Sequence, residues 1–385
     1  MSELKLPEAD WMDEELVMLQ DMAANFMETE CVPHYERFEE VGKFDKEVWL
    51  KAGEMGLLGA MVSEEYGGVG ASFYYDAVIA AEITRAGVDG FGAMLHSAIV
   101  VPYIVHYGSQ EQKKRWLPKL VSGEMIGAIA MTEPGAGSDL QAIKTTAHKD
   151  GNHYVLNGSK TFITNGQLAN LIIVVAKTDP KDGAKGTSLM IVETEEVEGF
   201  KRGRNLDKIG LKSNDTSELF FDNVRLPASS LLGAQEGMGF VQLMQQLPQE
   251  RLLIAIAAMG RIERALNETL KYVKERKAFG KSILQFQNTQ FKLAECKTEA
   301  TIAQVFVNDC VAKLVKGELT SEVASMAKYW VSDLQDKIID ECLQLHGGYG
   351  FMNEYPIARM YRDARVDRIY GGTNEIMKLM IARSL

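Results

Sequence analysis

The run Met131-Thr132-Glu133-Pro134-Gly135-Ala136-Gly137-Ser138-Asp139-Leu140 concentrates small and polar residues at a boundary in the chain. Glycines let backbone N–H groups approach an anionic oxygen closely, and the two hydroxyl groups of the run can donate hydrogen bonds as well. Read alone, such a loop is more often a structural turn. Its meaning therefore depends on the sequence on either side.

The chain before this run reads as helical. Asp13 is a suitable N-cap for a helix whose apolar residues recur at spacings of three and four. Those residues are Leu16, Leu19, Ala23 and Phe26. Ser109 and Gln112 have the S-x-x-Q spacing of a capping box, which predicts a second helix start. We expect an N-terminal α-helical domain over residues 1–127.

The sequence pattern changes after Gly127, where short runs rich in β-forming residues are separated by turn residues. The runs cover residues 154–156, 161–164, 171–175, 188–192 and 218–221. Asn-Gly pairs, such as Asn165-Gly166, lie between some of them and favour tight turns. Several short strands without intervening helices predict a middle antiparallel β domain over residues 128–234.

Helical periodicity returns after Gly233. One continuous apolar stripe consists of Leu253, Ile256, Met259, Ile262, Leu266, Leu270 and Val273. Two further helical stretches are predicted over residues 287–315 and 319–345, with a short one after Thr373. We expect residues 235–385 to form a C-terminal four-helix bundle, which makes the chain an α+β multidomain protein.

Composition excludes several classes of protein. A formal net charge of −11 argues against nucleic acid as a partner, although a local basic site could still bind a polyanion such as coenzyme A. No apolar stretch approaches the ~20 residues of a membrane span. The cysteines are scattered, which predicts reduced core thiols and no metal site. They are Cys31, Cys296, Cys310 and Cys342.

Signatures of other enzyme classes are missing from the sequence. It contains no complete G-x-G-x-x-G, which disfavours a dinucleotide-binding Rossmann domain. It also lacks the G-x-S-x-G of serine hydrolases and the H-E-x-x-H of zinc proteases. Residues 1–5 are neither a secretory signal nor an Arg-rich transit peptide, so we expect a cytoplasmic bacterial protein, or a mitochondrial matrix protein if a leader has been removed.

The run at residues 131–140 closely resembles the flavin-binding signature of acyl-CoA dehydrogenases. Four more motifs of that family follow in order across the chain. They are Phe162-Ile163-Thr164-Asn165-Gly166, Arg276-Lys277-Ala278-Phe279-Gly280, Gln344-Leu345-His346-Gly347-Gly348 and Tyr370-Gly371-Gly372-Thr373-Asn374-Glu375. The resemblance implies FAD as cofactor, an acyl-CoA substrate, an electron-transferring flavoprotein as electron acceptor, and a homotetramer.

The resemblance also implies which residues bind FAD. Phe162 would pack on the isoalloxazine ring and Thr164 would hydrogen-bond near N5. Further residues expected to line the flavin are Ile129, Met131, Thr132, Gly137 and Ser138. The residues expected to contact the FAD of a neighbouring subunit, or to complete the adenine and pyrophosphate contacts, are Arg276, Phe279, Gln287, Gln344, Gly347, Gly348, Thr373, Asn374 and Glu375.

The catalytic base is the sharpest inference. Most family members carry a carboxylate directly before the Gly-Thr of the last motif, where this chain has Gly371. Long-chain and isovaleryl-type members carry it instead directly before an arginine one helix away, which matches Glu250-Arg251. The apolar sequence after Arg251 indicates burial, so we expect a raised pKa for Glu250. Gly371 retains the backbone N–H that would polarise the thioester carbonyl.

The remaining substrate-binding predictions also follow from the resemblance. The residues expected at the substrate are Ser138, Val241, Pro248, Arg251, Tyr370, Gly371 and Gly372. Pro248 falls inside a predicted helix, where a proline either widens the acyl cavity or marks a helix junction. Both interpretations stay open at this point.

The sequence therefore predicts FAD-dependent α,β-dehydrogenation of medium-to-long, saturated or methyl-branched acyl-CoA. The nearest alternative is an isovaleryl- or citronellyl-type acyl-CoA dehydrogenase acting on branched-chain or terpenoid substrates. An acyl-CoA oxidase is less favoured, because oxidases of this type generally carry a long extra C-terminal region. The absence of a carboxylate at Gly371 also allows a non-catalytic flavoprotein that assists assembly.

Overall fold

The computed structural model describes residues 4–233 and 235–385 of the chain. Helices dominate the first part, and both expected caps are present. The Asp13 side chain accepts a hydrogen bond from the Leu16 N–H, and Ser109 and Gln112 form a reciprocal capping box. The helices are α1 (Glu14–Phe26), α2 (Tyr35–Val41), α3 (Lys46–Glu54), α4 (Phe73–Ala86), α5 (Ala93–Leu95), α6 (Val101–Tyr107) and α7 (Gln110–Val121).

The middle of the chain forms one seven-stranded sheet in the order β1-β4-β2-β3-β7-β6, with β5 also paired to β4. The strands are β1 (Gly127–Ala130), β2 (Thr146–Asp150), β3 (His153–Thr164), β4 (Leu171–Lys177), β5 (Thr187–Glu193), β6 (Phe200–Asn205) and β7 (Thr216–Pro227). The sheet is not wholly antiparallel as expected. Strand β1 runs parallel to β4, and β2 meets β4 in a single parallel pair. This is possible because β2 and β3 intervene in sequence and give the chain room to return in the same direction.

Three long helices and two short ones form the last part of the chain. They are α8 (Gly239–Glu275), α9 (Gln287–Val315), α10 (Ser321–His346), α11 (Pro356–Ala364) and α12 (Asn374–Ala382). A two-stranded hairpin, β8 (Lys277–Ala278) and β9 (Lys281–Ser282), joins α8 to α9. Helices α8, α9 and α10 pack against one another, and the short α12 packs on α10. The predicted order of helical, β and helical parts is confirmed.

One hydrophobic core joins the helical parts. Apolar residues of α4, α8, α9, α10 and α11 pack in the same buried cluster, so α8 contacts both the first and the last part of the chain. Helix α8 continues without a break through Pro248, so the helix-junction interpretation of that proline is wrong. The predicted domain boundary at residue 234 lies outside the described residues.

Two further predictions concern the cysteines and membrane-spanning helices. All four cysteines are buried free thiols. Within residues 4–233 and 235–385, no helix combines the length and the apolar character that a bilayer crossing requires.

Candidate active site

A cavity of about 910 Å³ lies where the loop after β1, the end of β3, helix α8 and the loop before α12 meet. Its volume lies within the range of small-molecule sites. Many of the residues singled out in the sequence line it together. They are Ile129, Met131, Thr132, Gly137, Ser138, Phe162, Thr164, Glu250, Arg251, Tyr370, Gly371 and Gly372. The fold thus brings together motifs that are more than 200 residues apart in sequence.

The loop at residues 131–140 is held by a buried ion pair. Glu133 accepts hydrogen bonds from Lys160 Nζ at 2.9 Å and from the backbone N–H groups of Lys144 and Thr145 at 2.6 and 3.0 Å. Lys160 Nζ also donates to the Met131 carbonyl at 3.0 Å. Burial lowers the pKa of Lys160 to about 8, while Glu133 opposes that shift. Glu133 thus anchors the loop, and Gly137 and Ser138 of the same loop are exposed at the cavity.

Open space adjoins the glycines of this loop. A Cβ built on Gly135 or Gly137 would meet no atom within 4 Å. Neither glycine is therefore explained by close packing within the chain. Their bare backbone and the exposed Ser138 hydroxyl leave room for a ligand carrying anionic oxygens.

Phe162 combines exposure with an unusual backbone. Its φ is 61°, in the left-handed region that β-carbon sterics disfavour for aromatic residues. Its side chain is 67% exposed although it lines the cavity. Asn165 shares the positive φ, and its side chain donates to the carbonyls of Gly92 and Gly127, which fixes the turn. An exposed aromatic ring on a strained backbone is a feature of ligand sites.

Glu250 lies on α8 with one side toward the cavity, and the residue is only 6% exposed. Burial raises the pKa of its carboxyl to about 7, while the Tyr103 hydrogen bond and the Arg251 charge lower it. The Tyr103 hydroxyl donates to Glu250 Oε1 at 2.8 Å. Leu252 and Leu253 beside it are buried, as the sequence indicated. The expected raised pKa is thus present, and its largest cause is desolvation.

Arg251 points to the opposite helix of the bundle. Its Nη1 donates to the hydroxyls of Ser321 and Ser325 at 2.9 and 3.2 Å. Its Nε is buried and has no hydrogen-bond partner within the part of the chain that the structure describes. Burial lowers the pKa of this guanidinium, and the Glu250 charge raises it. A buried, partly unsatisfied cation at a cavity wall is available to a polar ligand group.

Gly371 and Gly372 have φ values of 64° and 89°, which favour glycine at both positions. A Cβ built on Gly371 would lie 2.4 Å from Ile254 Cδ1. Ile254 follows Glu250 by four residues on α8, so both residues lie on one face of the helix. The helix that contributes the carboxylate therefore also fills the space beside Gly371.

The loop before α12 is anchored by a buried lysine that sequence reasoning missed. Lys328 Nζ donates to the Gly372 carbonyl at 2.8 Å and to Asn374 Oδ1 at 2.9 Å. Burial lowers the pKa of Lys328 to about 8. The Asn374 amide donates in turn to the Tyr329 carbonyl and the Ser332 hydroxyl. Asn374 is buried and its side chain is bonded within the chain, while its predicted contact with the cofactor stays a prediction.

The neighbouring predicted residues have simpler roles in the structure. The Thr373 side chain caps α12 by accepting from the Ile376 N–H at 3.4 Å. Glu375 is exposed in the first turn of α12. Neither residue lines the cavity.

Tyr370 is held by a buried charge network that the sequence did not reveal. Its hydroxyl donates to Asp367 Oδ1 at 2.6 Å, and Asp367 pairs with Arg261. Arg261 also pairs with Asp89 from the N-terminal part of the chain. Because Arg261 is 2% exposed and lies on α8, the network ties three distant segments together just before Gly371.

Six of the predicted residues lie outside the cavity, near the opposite end of α8. They are Arg276, Phe279, Gln287, Gln344, Gly347 and Gly348. The Arg276 guanidinium lies 5.4 Å from the ring centroid of Tyr349, which joins the end of α8 to the segment after α10. Phe279 is 95% exposed and has a φ of 50°. This region is therefore a second, solvent-facing cluster of the family's motifs.

Val241 and Pro248 do not line the cavity, contrary to the prediction. They are seven residues apart and so share one side of α8. Val241 is 45% exposed. The residues of the same helix that line the cavity recur mostly at spacings of three and four, namely Phe240, Met244, Leu247, Glu250, Arg251, Leu253, Ile254, Ala257 and Arg261. Pro248 does not itself form the cavity wall, and the interpretation that it widens the acyl cavity stays a prediction.

Comparison with known proteins agrees with this arrangement. Three family models match in order: the acyl-CoA dehydrogenase N-terminal domain at residues 13–124, the middle domain at 128–224 and the C-terminal domain at 237–385. The chain belongs to the acyl-CoA dehydrogenase family. Members of this family are FAD-dependent oxidoreductases.

Curated relatives and solved structures extend the similarity over nearly the whole chain. The long-chain specific acyl-CoA dehydrogenase of Sus scrofa mitochondria is 52% identical, over 96% of this chain and 86% of the relative. The isovaleryl-CoA dehydrogenase of Solanum tuberosum mitochondria is 36% identical, over 97% and 91%. A crystal structure of an acyl-CoA dehydrogenase from Geobacillus kaustophilus is 49% identical, with a TM-score of 0.96 and coverage of 98% and 99%.

Proposed function

We propose that this acyl-CoA dehydrogenase oxidises medium-to-long acyl-CoA to the trans-2-enoyl-CoA, with Glu250 as the base that removes the α-proton. The observation that carries the proposal is the buried Glu250 carboxyl at the cavity wall, beside a Gly371 that has no side chain. The cavity contains the carboxyl that the chemistry needs, at a position other than the one that most of the family uses.

The residues around the cavity fit FAD. The open space beside Gly135 and Gly137 would admit a pyrophosphate, with the Ser138 hydroxyl as a donor. Phe162 offers an exposed ring for the isoalloxazine, and Thr164 offers a hydroxyl at its edge. When bound, FAD supplies the oxidant, which accepts the β-hydrogen with its electron pair at N5.

Glu250 has the properties of a general base. Proton transfer is efficient when the pKa of the base lies near the working pH, and burial brings that of Glu250 to about 7. In the proposed step the α C–H bond breaks and an O–H bond forms on Glu250. The electron pair of the broken bond becomes the new Cα–Cβ double bond as the β-hydrogen leaves. Apolar neighbours such as Leu253 and Ile254 exclude water from this transfer.

The Gly371 N–H would stabilise the negative charge that develops on the thioester oxygen. A donor aimed at such a charge in a low-dielectric site typically contributes a factor of about 10²–10³ in rate. The loop that carries this N–H is fixed from both sides. Lys328 holds the Gly372 carbonyl, and Asp367 holds the Tyr370 hydroxyl.

The walls of the cavity suit a hydrocarbon chain. Four residues that α8 contributes to the cavity wall are apolar, namely Phe240, Met244, Leu247 and Ala257. Met94, Leu95 and Ile99 line it from the helical segment before α6. This composition favours a flexible acyl chain over a small polar acyl group.

The experiment is anaerobic mixing of the flavin-loaded protein with acyl-CoA, followed by flavin absorbance. Glu250→Gln should lower the rate of bleaching by at least about 10³-fold, since the base is lost. Glu268→Gln, on the same helix but outside the cavity, is the matched control and should bleach like the wild type. Bleaching of Glu250→Gln at the wild-type rate would refute the assignment. A wild-type protein that never bleaches would instead favour the non-catalytic flavoprotein.

A branched-chain substrate is the second candidate, favoured by the isovaleryl-CoA dehydrogenase relative at 36% identity. A panel of straight and β-methyl-branched acyl-CoAs of increasing length separates the two by kcat/KM. A maximum at medium-to-long straight chains supports the first proposal. A maximum at isovaleryl-CoA or citronellyl-CoA supports the second.

The family membership of the chain also suggests its protein partners. We propose an electron-transferring flavoprotein as the electron acceptor and a homotetramer as the assembly. The exposed Phe279 and the Arg276 beside it are suited to contact a neighbouring subunit's cofactor. Sedimentation of the protein with and without FAD tests whether cofactor retention and assembly are coupled.

A further inference from the structure

Helix α6 supplies a group that reaches the reacting end of Glu250. The Tyr103 hydroxyl donates to Glu250 Oε1 at 2.8 Å, although the residues are 147 positions apart in sequence. The Tyr103 residue is fully buried and Glu250 is 6% exposed. A hydrogen bond to a carboxylate in such a site is charge-assisted and is not shared with bulk water.

We propose that Tyr103 is a positioning residue for proton removal: its phenol holds one carboxyl oxygen of Glu250, so that the other oxygen faces the substrate. This inference rests on the proposed role of Glu250 as the base. A carboxylate has two equivalent oxygens and a rotatable terminal torsion. Fixing one oxygen therefore restricts the direction in which the other can accept the proton.

The geometry of Tyr103 is set by the contact of two helices. One turn later on α6, Tyr107 accepts a hydrogen bond from Gln246 Nε2 at 2.9 Å. On the other side, Gln249 Nε2 donates to the Ala98 carbonyl at 2.8 Å. Gln246 and Gln249 both precede Glu250 on α8, while their partners Tyr107 and Ala98 lie on either side of Tyr103 in the chain. The segment that carries Tyr103 is thus bonded to α8 both before and after this residue.

The electrostatics give the hydrogen bond a second effect. Burial raises the pKa of Glu250, and the Tyr103 hydrogen bond lowers it, so the phenol stabilises the ionised base. Burial and the Glu250 charge raise the pKa of Tyr103 well above 10, so the phenol stays a donor at neutral pH. The other titratable groups that face this site are Tyr107 on α6, Arg251 on α8 and Tyr370 in the loop before α12.

The test is Tyr103→Phe, with Tyr107→Phe as the matched control. Both changes delete one hydroxyl from α6, but only Tyr103 bonds Glu250. Flavin bleaching is measured from pH 5.5 to 9.5. For Tyr103→Phe the apparent pKa should rise by about one pH unit, with an approximately tenfold loss of rate at pH 6 that shrinks at pH 9. Tyr107→Phe should keep the wild-type apparent pKa.

A second measurement reads the carboxyl directly. Infrared difference spectra in which the Glu250 band is identified by its loss in Glu250→Gln give the titration of that group in each variant. The Glu250 titration should move upward in Tyr103→Phe. If both the infrared titration and the rate profile of Tyr103→Phe match the wild type, the inference is overturned while the role of Glu250 stands.

Two outcomes separate this inference from the proposed function. Wild-type bleaching by Glu250→Gln removes the base assignment and the inference with it. If Tyr103→Phe is recovered without flavin, incorporation of 3,5-difluorotyrosine at position 103 replaces it. This more acidic donor should lower the Glu250 pKa, and an unchanged pKa would refute the positioning role.

Discussion

Ile254 Cδ1 lies where a side chain at Gly371 would begin: a Cβ built there would be 2.4 Å from it. Ile254 also follows Glu250 by one helical turn. A side chain at residue 371 would therefore require the end of the Ile254 side chain to shift, so the face of α8 that carries Glu250 restricts the space beside Gly371.

Moving the carboxylate back to residue 371 should fail unless Ile254 is shortened. We expect Glu250→Gln/Gly371→Glu to bleach flavin no faster than Glu250→Gln alone. Adding Ile254→Ala should raise that rate at least about tenfold, since the new side chain gains room. Anaerobic stopped-flow absorbance measures all three variants. Full recovery of the bleaching rate in Glu250→Gln/Gly371→Glu would contradict this expectation, because it would show that the Ile254 side chain moves aside at little cost.

The rate of flavin reduction should rise with pH through the pKa of Glu250. Only the ionised carboxylate accepts the α-proton, and burial raises the pKa of this group to about 7. The rate should therefore be half-maximal near pH 7 and close to its plateau at pH 8.5. The measurement is the limiting bleaching rate at saturating acyl-CoA. A flat profile between pH 5.5 and 8.5 would contradict the assignment.

Glu250 should also make stability depend on pH. Its folded pKa is about 7, above the ordinary value of 4.5, so the folded state binds more protons than the unfolded state between those values. Stability contributed by this group is therefore present at low pH and lost as pH rises toward 7. Glu250→Gln should be more stable than the wild type at pH 8 by about 1–3 kcal/mol, and this gain should vanish near pH 4.5. Urea denaturation at both pH values measures it.

Breaking the Glu133–Lys160 pair should loosen the loop at residues 131–140. Lys160→Met leaves the Glu133 carboxylate buried without its cation, which should cost about 3–5 kcal/mol of stability. FAD retention on a desalting column should fall as well, since Lys160 also holds the Met131 carbonyl. The double variant Glu133→Gln/Lys160→Met should recover part of the stability. An additive loss would mean that the pair does not act as a unit.

Phe279→Ala should weaken assembly and cofactor retention together. The side chain is 95% exposed within one chain, so its removal should leave the stability of the isolated fold within about 0.5 kcal/mol. Phe220→Ala, at a partly exposed position on the sheet, is the control. Analytical ultracentrifugation and the flavin-to-protein absorbance ratio are the measurements. If Phe279→Ala keeps both its assembly state and its bound flavin, the proposed intersubunit role of Phe279 is refuted.

Much of the architecture was readable from local pattern. The predicted span 287–315 agrees with α9, and the caps at Asp13 and Ser109 form as expected, because periodicity and capping are local properties. The parallel pairing of β1 with β4 was not readable, since it depends on which strands meet across the sheet. Of the two interpretations of Pro248, the helix junction was wrong because the rest of α8 overrides a single proline.

The site was predictable only in part for a related reason. Glu250 stood out because its place before Arg251 is a local pattern. Tyr103 and Lys328 bond their partners across 147 and 44 residues, and no local feature distinguishes either from an ordinary core or surface residue. Asn374 falls within a recognisable motif, yet its side-chain amide forms hydrogen bonds within the chain. Motif membership thus located the cavity but did not assign each hydrogen bond.

The unbroken course of α8 fixes a distance between the two functional regions of the chain. At about 1.5 Å per residue, Glu250 and the residue after the helix, Arg276, are separated by roughly 39 Å along one rigid rod. Deleting a single residue between them would shorten the rod only slightly but would rotate one end by about 100° relative to the other. Evolution can therefore exchange side chains along this helix far more readily than it can change the number of residues in it.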